Sequence, residues 1–261
     1  AFLFVGQWTK GGYGEDRKDI AKLVKIFYES FANKKEQPSL LLKTGGATNS
    51  VMDKDDTLRK LKNVKSMFPS DWKLPNVYLL HGGLSDKEMN YLYNHPKVKA
   101  FVSLTHGEGF GRPLLEATMT GLPVITTNWS GHIDFLDDRE SVLLPGNLVR
   151  VPNSMVWEDI IIAESQWFNV DENATYKALN YVFNNIKEAK NKSKSLMYTN
   201  RNKFTLKNMS IKLDNIMEKC LVNTPSEVKL NLPKLSKTKT SEPPKIKLPK
   251  LKKIDKEGVT V

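Results

Sequence analysis

The stretch of this 261-residue chain that decides its fold is Phe101-Val-Ser-Leu-Thr-His-Gly-Glu-Gly-Phe-Gly-Arg-Pro-Leu-Leu-Glu-Ala117. Its first residues form an apolar run that predicts a buried strand ending near Leu104. The three glycines that follow predict a loop whose backbone lies close to a ligand, and Pro113 is well placed as the first residue of a helix. Because the first N–H groups of a helix are unpaired and carry the positive end of its dipole, this turn can hold a diphosphate or the hydroxyls of a sugar.

Two carboxylates stand eight residues apart in this stretch, Glu108 in the loop and Glu116 in the predicted first turn of the helix. Glu116 can accept hydrogen bonds from two neighbouring hydroxyls, as an acidic residue does for ribose in dinucleotide sites. Glu108 would then face a sugar or a reacting centre. The alternative is that a carboxylate near a helix start only complements the dipole and that the loop is only a turn. The combination of strand, glycine-rich loop, Pro113 and second glutamate favours a ligand site.

The rest of the chain alternates apolar runs with segments of helical periodicity, which predicts a parallel α/β domain. The predicted strands cover residues 2–6, 39–42, 77–80, 100–104, 123–126 and 141–144. The predicted helices cover residues 19–31, 55–67, 86–93, 113–120, 171–188 and 203–222. The segment 145–170, which contains Trp157 and Trp167, shows no clear pattern and receives no assignment.

Length, composition and the single cysteine narrow the class of protein. With 39% apolar residues, 261 residues suffice for one large α/β domain, and no apolar run approaches the roughly 18 residues that a membrane span needs. Cys220 is alone, so an internal disulfide framework is excluded and a reducing, cytoplasmic location is expected. The chain shows no signal-peptide pattern. It opens in a strand without an initiator Met, which leads us to expect further sequence upstream.

The composition changes at about residue 223, so we divide the chain into a domain, residues 1–222, and a tail, residues 223–261. The tail has ten lysines and four acidic residues, a net charge of +6 that leaves only +5 of the total +11 for the rest. A Lys- and Pro-rich segment without aromatic residues is expected to be disordered. A solvated linker is the favoured interpretation. The alternative is a pair of short motifs, residues 229–235 and 245–251, for a membrane surface, an acidic partner or, least favoured, nucleic acid.

The segment Glu108-Gly-Phe-Gly-Arg-Pro-Leu-Leu-Glu116 resembles the Glu-x7-Glu motif of retaining glycosyltransferases with the GT-B fold, in particular family 4 and its relatives in glycosyl transferases group 1. The following Ala117-Thr-Met-Thr-Gly-Leu-Pro-Val-Ile125 is similar to that family's continuation, in which the helix ends at Gly and the next strand opens with Gly-x-Pro. The resemblance covers most of residues 1–145. It implies a Rossmann-like parallel sheet flanked by helices, the C-terminal, donor-binding half of a GT-B enzyme.

The resemblance also implies roles for individual residues. Glu108 matches the catalytic carboxylate beside the donor sugar, and Glu116 matches the carboxylate that binds the nucleotide ribose. The other residues expected to bind the donor are Gly6, Arg17, Lys18, His106, Gly109, Phe110, Gly111 and Arg112.

The basic residues that the resemblance implies for the diphosphate depart from the family's usual spacing. Arg17 and Lys18 are adjacent at a predicted helix start, whereas the family's basic residues commonly lie a few positions apart. Neighbours on a helix point about 100° apart, so they need not reach one diphosphate together. Lys10 or Lys43 could supply the second charge, and a solvated helix start remains an equal alternative for the pair.

The implied reaction moves a sugar from a nucleoside diphosphate sugar to an unknown glycan, lipid or protein acceptor, with retention of anomeric configuration. No metal is expected, because no cluster of His, Cys and carboxylates has the spacing of metal ligands and the resemblance implies none. The acceptor would bind a preceding N-terminal domain, without which this fragment would be inactive. Two alternatives stay open: a catalytically inactive interaction module, and a GT-B relative such as a nucleotide-sugar epimerase.

Overall fold

The apolar runs of the sequence form a six-stranded parallel sheet in the computed structural model, which describes residues 1–9 and 13–221. Its strands are β1 (Phe2–Val5), β2 (Leu40–Lys43), β3 (Val77–Leu80), β4 (Ala100–Ser103), β5 (Val124–Thr127) and β6 (Val142–Leu144). They are ordered β3-β2-β1-β4-β5-β6 across the sheet, the Rossmann order. In such sheets a ligand binds outside the carboxyl ends of the strands, at the point between β1 and β4 where the order reverses.

Helices cover both faces of this sheet. They are α1 (Ile20–Phe31), α2 (Val51–Lys65), α3 (Asp86–Tyr93), α4 (Arg112–Met119), α5 (Glu172–Asn184) and α6 (Ile186–Lys203), followed by α7 (Leu206–Leu221). Phe2 and Phe4 of β1 pack into one apolar cluster with α1 and α5, whereas Leu3 packs into a second cluster with α3 and α4. Because the strands are buried on both faces, they read as continuous apolar runs in the sequence.

The structure confirms all six predicted strands to within one residue at each end. The second helix begins four residues earlier than predicted, because Ser50 caps it by accepting a hydrogen bond from the Asp53 N–H at 3.2 Å. The prediction of one helix over residues 171–188 was wrong, since α5 ends at Asn184 and a non-helical Asn185 separates it from α6. No helix in the described residues is long and apolar enough to cross a bilayer.

The sequence analysis did not predict α6, because the residues of this helix that pack against the domain are partly polar. Its buried positions are Ala189, Ser193, Leu196 and Asn200, of which only Leu196 is a large apolar residue. Ser193 Oγ donates to the Gly121 carbonyl at 2.8 Å, so hydrogen bonds hold this face in place of an apolar stripe.

The unassigned segment 145–170 contains an antiparallel pair, β7 (Gly146–Arg150) and β8 (Gln166–Val170). Their register runs from Gly146 opposite Val170 to Arg150 opposite Gln166, and this pair is separate from the main sheet. The chain divides into two compact units, residues 1–212 and 213–261, and the described part of the second unit is the end of α7. The predicted disorder of residues 223–261 lies outside the described residues.

Candidate functional site

A cleft of about 720 Å³ opens at the carboxyl ends of β1, β2 and β3 and extends to α4, the helix after β4, beside the point where the strand order reverses. The last residues of these strands and the loops after them form one wall, which includes Gly6, Lys43 and Gly82. The other wall includes α3 and the first turns of α4, which contribute Arg112 and Glu116. Three of the predicted donor-binding residues, Gly6, Arg112 and Glu116, therefore line one cleft.

Glu116 lies just after the first turn of α4, so the prediction that it belongs to the first turn was wrong. The helix starts at Arg112, one residue before Pro113, because Gly111 adopts the left-handed conformation (φ 83°) that begins it. Arg112 Nε lies 3.1 Å from Glu116 Oε1, so the two side chains pair across one turn. Tyr93 also lines the cleft beside Glu116. Burial, and then the charge of Glu116, raise the pKa of Tyr93, so its hydroxyl stays protonated as a donor.

Glu108 is held by two cations. The Lys18 ammonium forms an ion pair with Glu108 Oε1, and both side chains are only 10% exposed. Arg17 Nη1 lies 3.7 Å from Glu108 Oε2 and donates to the Gly107 carbonyl at 3.0 Å. The expectation that Arg17 and Lys18 open a helix was wrong: α1 begins at Ile20, and both residues lie in the turn before it. That turn allows both side chains to reach one carboxylate.

Lys18 joins this ion pair to the cleft. Burial lowers the pKa of Lys18, and the neighbouring Glu108 opposes that effect. A Cβ atom added to Gly6 would lie 3.6 Å from Lys18 Cε and 2.8 Å from the Phe4 ring. The Lys18 side chain therefore passes beside Gly6, a residue of the cleft wall. Any side chain at position 6 would collide with the buried ring of Phe4.

The loop that carries Glu108 is fixed by the turn after β5. Ser130 Oγ donates to the Glu108 carbonyl at 2.6 Å, the Glu108 N–H lies 3.1 Å from the same Oγ, and the Gly131 N–H also donates to that carbonyl, at 2.9 Å. A Cβ atom on Gly131 would lie 2.1 Å from the Gly109 oxygen, so only glycine fits there. Neither Ser130 nor Gly131 is among the residues that the sequence predicts for the site. The missed signal was that β4 and β5 are adjacent, so the loops after them meet.

His106 is buried, and its ring contacts other parts of the domain. Its ring is 2% exposed, its Nδ1 lies 2.7 Å from the Phe168 carbonyl oxygen, and it stacks on Trp167 with 4.0 Å between centroids. Burial lowers the pKa of His106, so the ring is neutral. The ring is not among the described side chains that line the cleft, and its predicted contact with the donor stays a prediction. It ties the Glu108 loop to β8.

The remaining predicted residues fall around the loop. Gly109 and Gly111 carry no side chain, and Phe110, which is 46% exposed, packs its ring 5.4 Å from Phe135. Of the alternative cations, Lys43 lines the cleft and donates to the Gly82 carbonyl at 2.6 Å, whereas Lys10 lies outside the described residues.

The cleft's glycine loop after β2 is fixed by a carboxylate that sequence reasoning did not single out. Asp53 Oδ2, from α2, accepts a hydrogen bond from the Gly46 N–H at 2.8 Å and lies 2.9 Å from His81 Nε2. Gly46 lines the cleft. Within the described ranges, no group of three or more His, Cys, Asp and Glu side chains is placed to hold a metal ion.

The strand order and the cleft at the carboxyl edge define a Rossmann-like α/β domain. Residues 17–166, more than half of the chain, match the family model described as glycosyl transferases group 1. The chain belongs to this family. It is also 32% identical over 77 residues to a 2-deoxystreptamine N-acetyl-D-glucosaminyltransferase of Niallia circulans, a match that covers 29% of this chain and 19% of that protein.

Solved GT-B glycosyltransferases share the fold. Sucrose-phosphate synthase from Thermosynechococcus elongatus superposes with a TM-score of 0.57 at 17% identity, over 85% of this chain and 46% of that one. The C-terminal domain of a glycosyl transferase group 1 protein from Francisella tularensis gives 0.53 at 14% identity, over 78% and 86%. Anabaena HepE, solved with UDP and glucose, gives 0.54 at 10%, over 84% and 48%. The chain thus spans under half of two of these proteins.

Proposed function

We propose that this domain binds a nucleoside diphosphate sugar and forms the donor half of a retaining, family 4 glycosyltransferase. The observation that carries the proposal is the placement of the two motif glutamates around the start of α4. Glu116 lines the cleft, and Glu108 lies in the preceding loop, paired with a lysine that passes beside the cleft wall at Gly6. One ligand that extends from the cleft past Gly6 would meet both carboxylates.

The cleft suits the nucleoside end of such a donor. Its volume of about 720 Å³ lies within the range of small-molecule sites. Glu116 offers two acceptor oxygens to the ribose hydroxyls once its contact with Arg112 opens, and the Tyr93 hydroxyl is a donor on the same wall. The UDP in the solved HepE complex supports a nucleoside diphosphate as the ligand class.

The diphosphate end of the donor would lie between the start of α4 and Lys18. In the free protein Lys18 is engaged with Glu108, so we infer that the diphosphate takes over the ammonium and releases Glu108. Glu108 then becomes free to accept a hydrogen bond from the donor sugar. Breaking the anomeric bond places negative charge on the departing diphosphate, which Lys18, Arg17 and the positive end of the α4 dipole would stabilise.

Transfer would need a second domain for the acceptor, in keeping with a chain that spans under half of related structures. The acceptor would attack on the face from which the diphosphate leaves, which retains the anomeric configuration. We further propose that the enzyme works in the cytoplasm and that donor binding needs no metal, the cations being side chains.

The test is the melting temperature of the full chain with UDP, GDP, ADP and their sugar conjugates, in the presence of a chelator. A ligand selective for the native state adds about 2.7 kcal/mol of stability at 100 times its dissociation constant. We expect one nucleotide series to raise the melting temperature and Glu116→Ala to abolish the shift. Glu29→Ala is the matched control, since Glu29 is an exposed α1 carboxylate outside the cleft lining, comparably accessible and likewise paired. No shift from any nucleotide, with the protein folded, would contradict the proposal and favour an interaction module.

A further inference from the structure

Helix α7 carries an apolar face that is exposed along its length. At 100° per residue, five of its seven large apolar side chains and its cysteine fall within an arc of about 100°. The residues of this face are Leu206, Met209, Leu213, Ile216, Met217 and Cys220, and the first five are 46–81% exposed. None of the residues of α7 is buried. A contiguous apolar strip of this kind marks an interaction surface.

The opposite side of the helix is polar and carries Lys207, Lys212 and Lys219 with two acidic residues. Two large apolar residues lie outside the apolar face: Leu221 is about 90° from its centre, and Ile211, which is 48% exposed, is about 170° from it. Separation of apolar and lysine-containing faces on one helix is typical of helices that lie in a membrane interface.

The charge of the segment that follows identifies the partner. Residues 222–261 carry ten lysines and four acidic residues, a net charge of +6, directly after the apolar face. Polybasic segments next to an amphipathic helix are attracted to anionic lipids, each Lys near the surface adding about 1 kcal/mol. We propose that α7 lies in the surface of an anionic lipid bilayer with its apolar face among the acyl chains, and that the net positive charge of the residues after it favours this surface.

A second copy of the chain fits this face less well. The apolar positions are spaced as in a coiled coil, but 16 residues make little more than two heptads, fewer than the three or four that indicate a coiled coil. A parallel pair would also bring two segments of charge +6 to the same end of the helices, where they repel each other. A negatively charged surface removes that repulsion and covers the same residues.

Sedimentation of the full chain with vesicles tests the proposal. We expect binding to phosphatidylcholine vesicles that contain about 30% phosphatidylserine, weak binding to phosphatidylcholine alone, and loss of most binding at about 0.5 M salt. Leu213→Glu should lower the partition coefficient about tenfold or more, because it removes a buried leucine from the interface. Ile211→Glu is the matched control. It makes the same change in charge at an exposed apolar residue on the polar side, and should alter binding less than about twofold.

The sole cysteine gives a second readout. A polarity-sensitive dye on Cys220, on the apolar face, should shift to shorter emission wavelength when anionic vesicles are added. Equal effects of Leu213→Glu and Ile211→Glu, or binding without preference for anionic lipid, would overturn the proposal. So would an apolar dye environment before vesicles are added, which would show that another part of the chain covers the face. A dimer that Leu213→Glu dissolves would assign the face to a second copy instead.

Discussion

Replacing Lys18 by Met should destabilise the domain through the charge that it leaves behind. Lys18 and Glu108 form an ion pair in which each side chain is only 10% exposed. Removing one partner of a buried pair costs about 3–5 kcal/mol, because the other charge stays buried without compensation. Arg17 lies 3.7 Å from the second oxygen of Glu108 and retains part of the compensation. We therefore expect Lys18→Met to lower the free energy of unfolding by about 2–3 kcal/mol.

The double variant Lys18→Met/Glu108→Gln should recover part of this loss, because it removes both charges. Urea unfolding at pH 7 of the parent, the two single variants and the double variant gives the coupling energy, which we expect to be about 2 kcal/mol. Arg17→Met is the control. The Arg17 side chain is 51% exposed, so its loss should cost less than about 1 kcal/mol. If the stability losses of Lys18→Met and Glu108→Gln add up to that of the double variant within about 0.5 kcal/mol, the two side chains do not interact as a buried ion pair.

Three further predictions concern other residues. Burial raises the pKa of the Asp16 carboxyl from 3.8 to about 6, so the folded chain holds the carboxyl proton more tightly than the unfolded chain does. The protonated carboxyl therefore stabilises the fold below about pH 4, and this contribution is lost as the pH rises through 6. Asp16→Asn should therefore make the free energy of unfolding less dependent on pH between about pH 4 and 6 and should stabilise the domain at pH 7 by about 1–3 kcal/mol. A pH dependence equal to that of the parent would contradict this prediction. Gly131→Ala places a Cβ 2.1 Å from the Gly109 oxygen and should cost about 2–3 kcal/mol in urea unfolding, whereas Gly109→Ala, with nothing within 4 Å, should cost less than about 1 kcal/mol. Asn200 Nδ2 donates to Thr118 Oγ1 at 2.9 Å and to a backbone carbonyl at 3.0 Å, so Asn200→Ala should cost about 2–4 kcal/mol; an unchanged melting temperature would show that these bonds do not anchor α6.

The main sheet and the glutamate motif were predictable because each rests on a local signal. The strands are buried on both faces, so they stand out as apolar runs without reference to their neighbours. The start of α4 is marked by the left-handed Gly111 and by Pro113, which are visible in the sequence. These local signals were enough to place Glu108 in the loop and Glu116 on the helix.

The contacts that give the site its chemistry were not predictable, because they join residues far apart in the chain. The pairing of Lys18 with Glu108 spans 90 residues and depends on a turn, whereas helical geometry predicted divergence from Arg17. The bond between Ser130 and Glu108 requires knowing that β4 and β5 are adjacent. The sequence did not predict helix α6, because hydrogen bonds of Ser193 and Asn200 hold it in place of an apolar stripe.

The most direct test of the central claim is a calorimetric titration that compares a nucleoside diphosphate with its monophosphate. The nucleoside is the one that raises the melting temperature most, and the proteins are the parent, Lys18→Met and Glu116→Ala, each confirmed to be folded. We expect the parent to prefer the diphosphate by about tenfold or more. Lys18→Met should remove that preference, whereas Glu116→Ala should weaken both ligands equally, because Glu116 would bind the ribose that they share. A diphosphate preference that survives Lys18→Met, or an absence of binding by the folded parent, would contradict the claim.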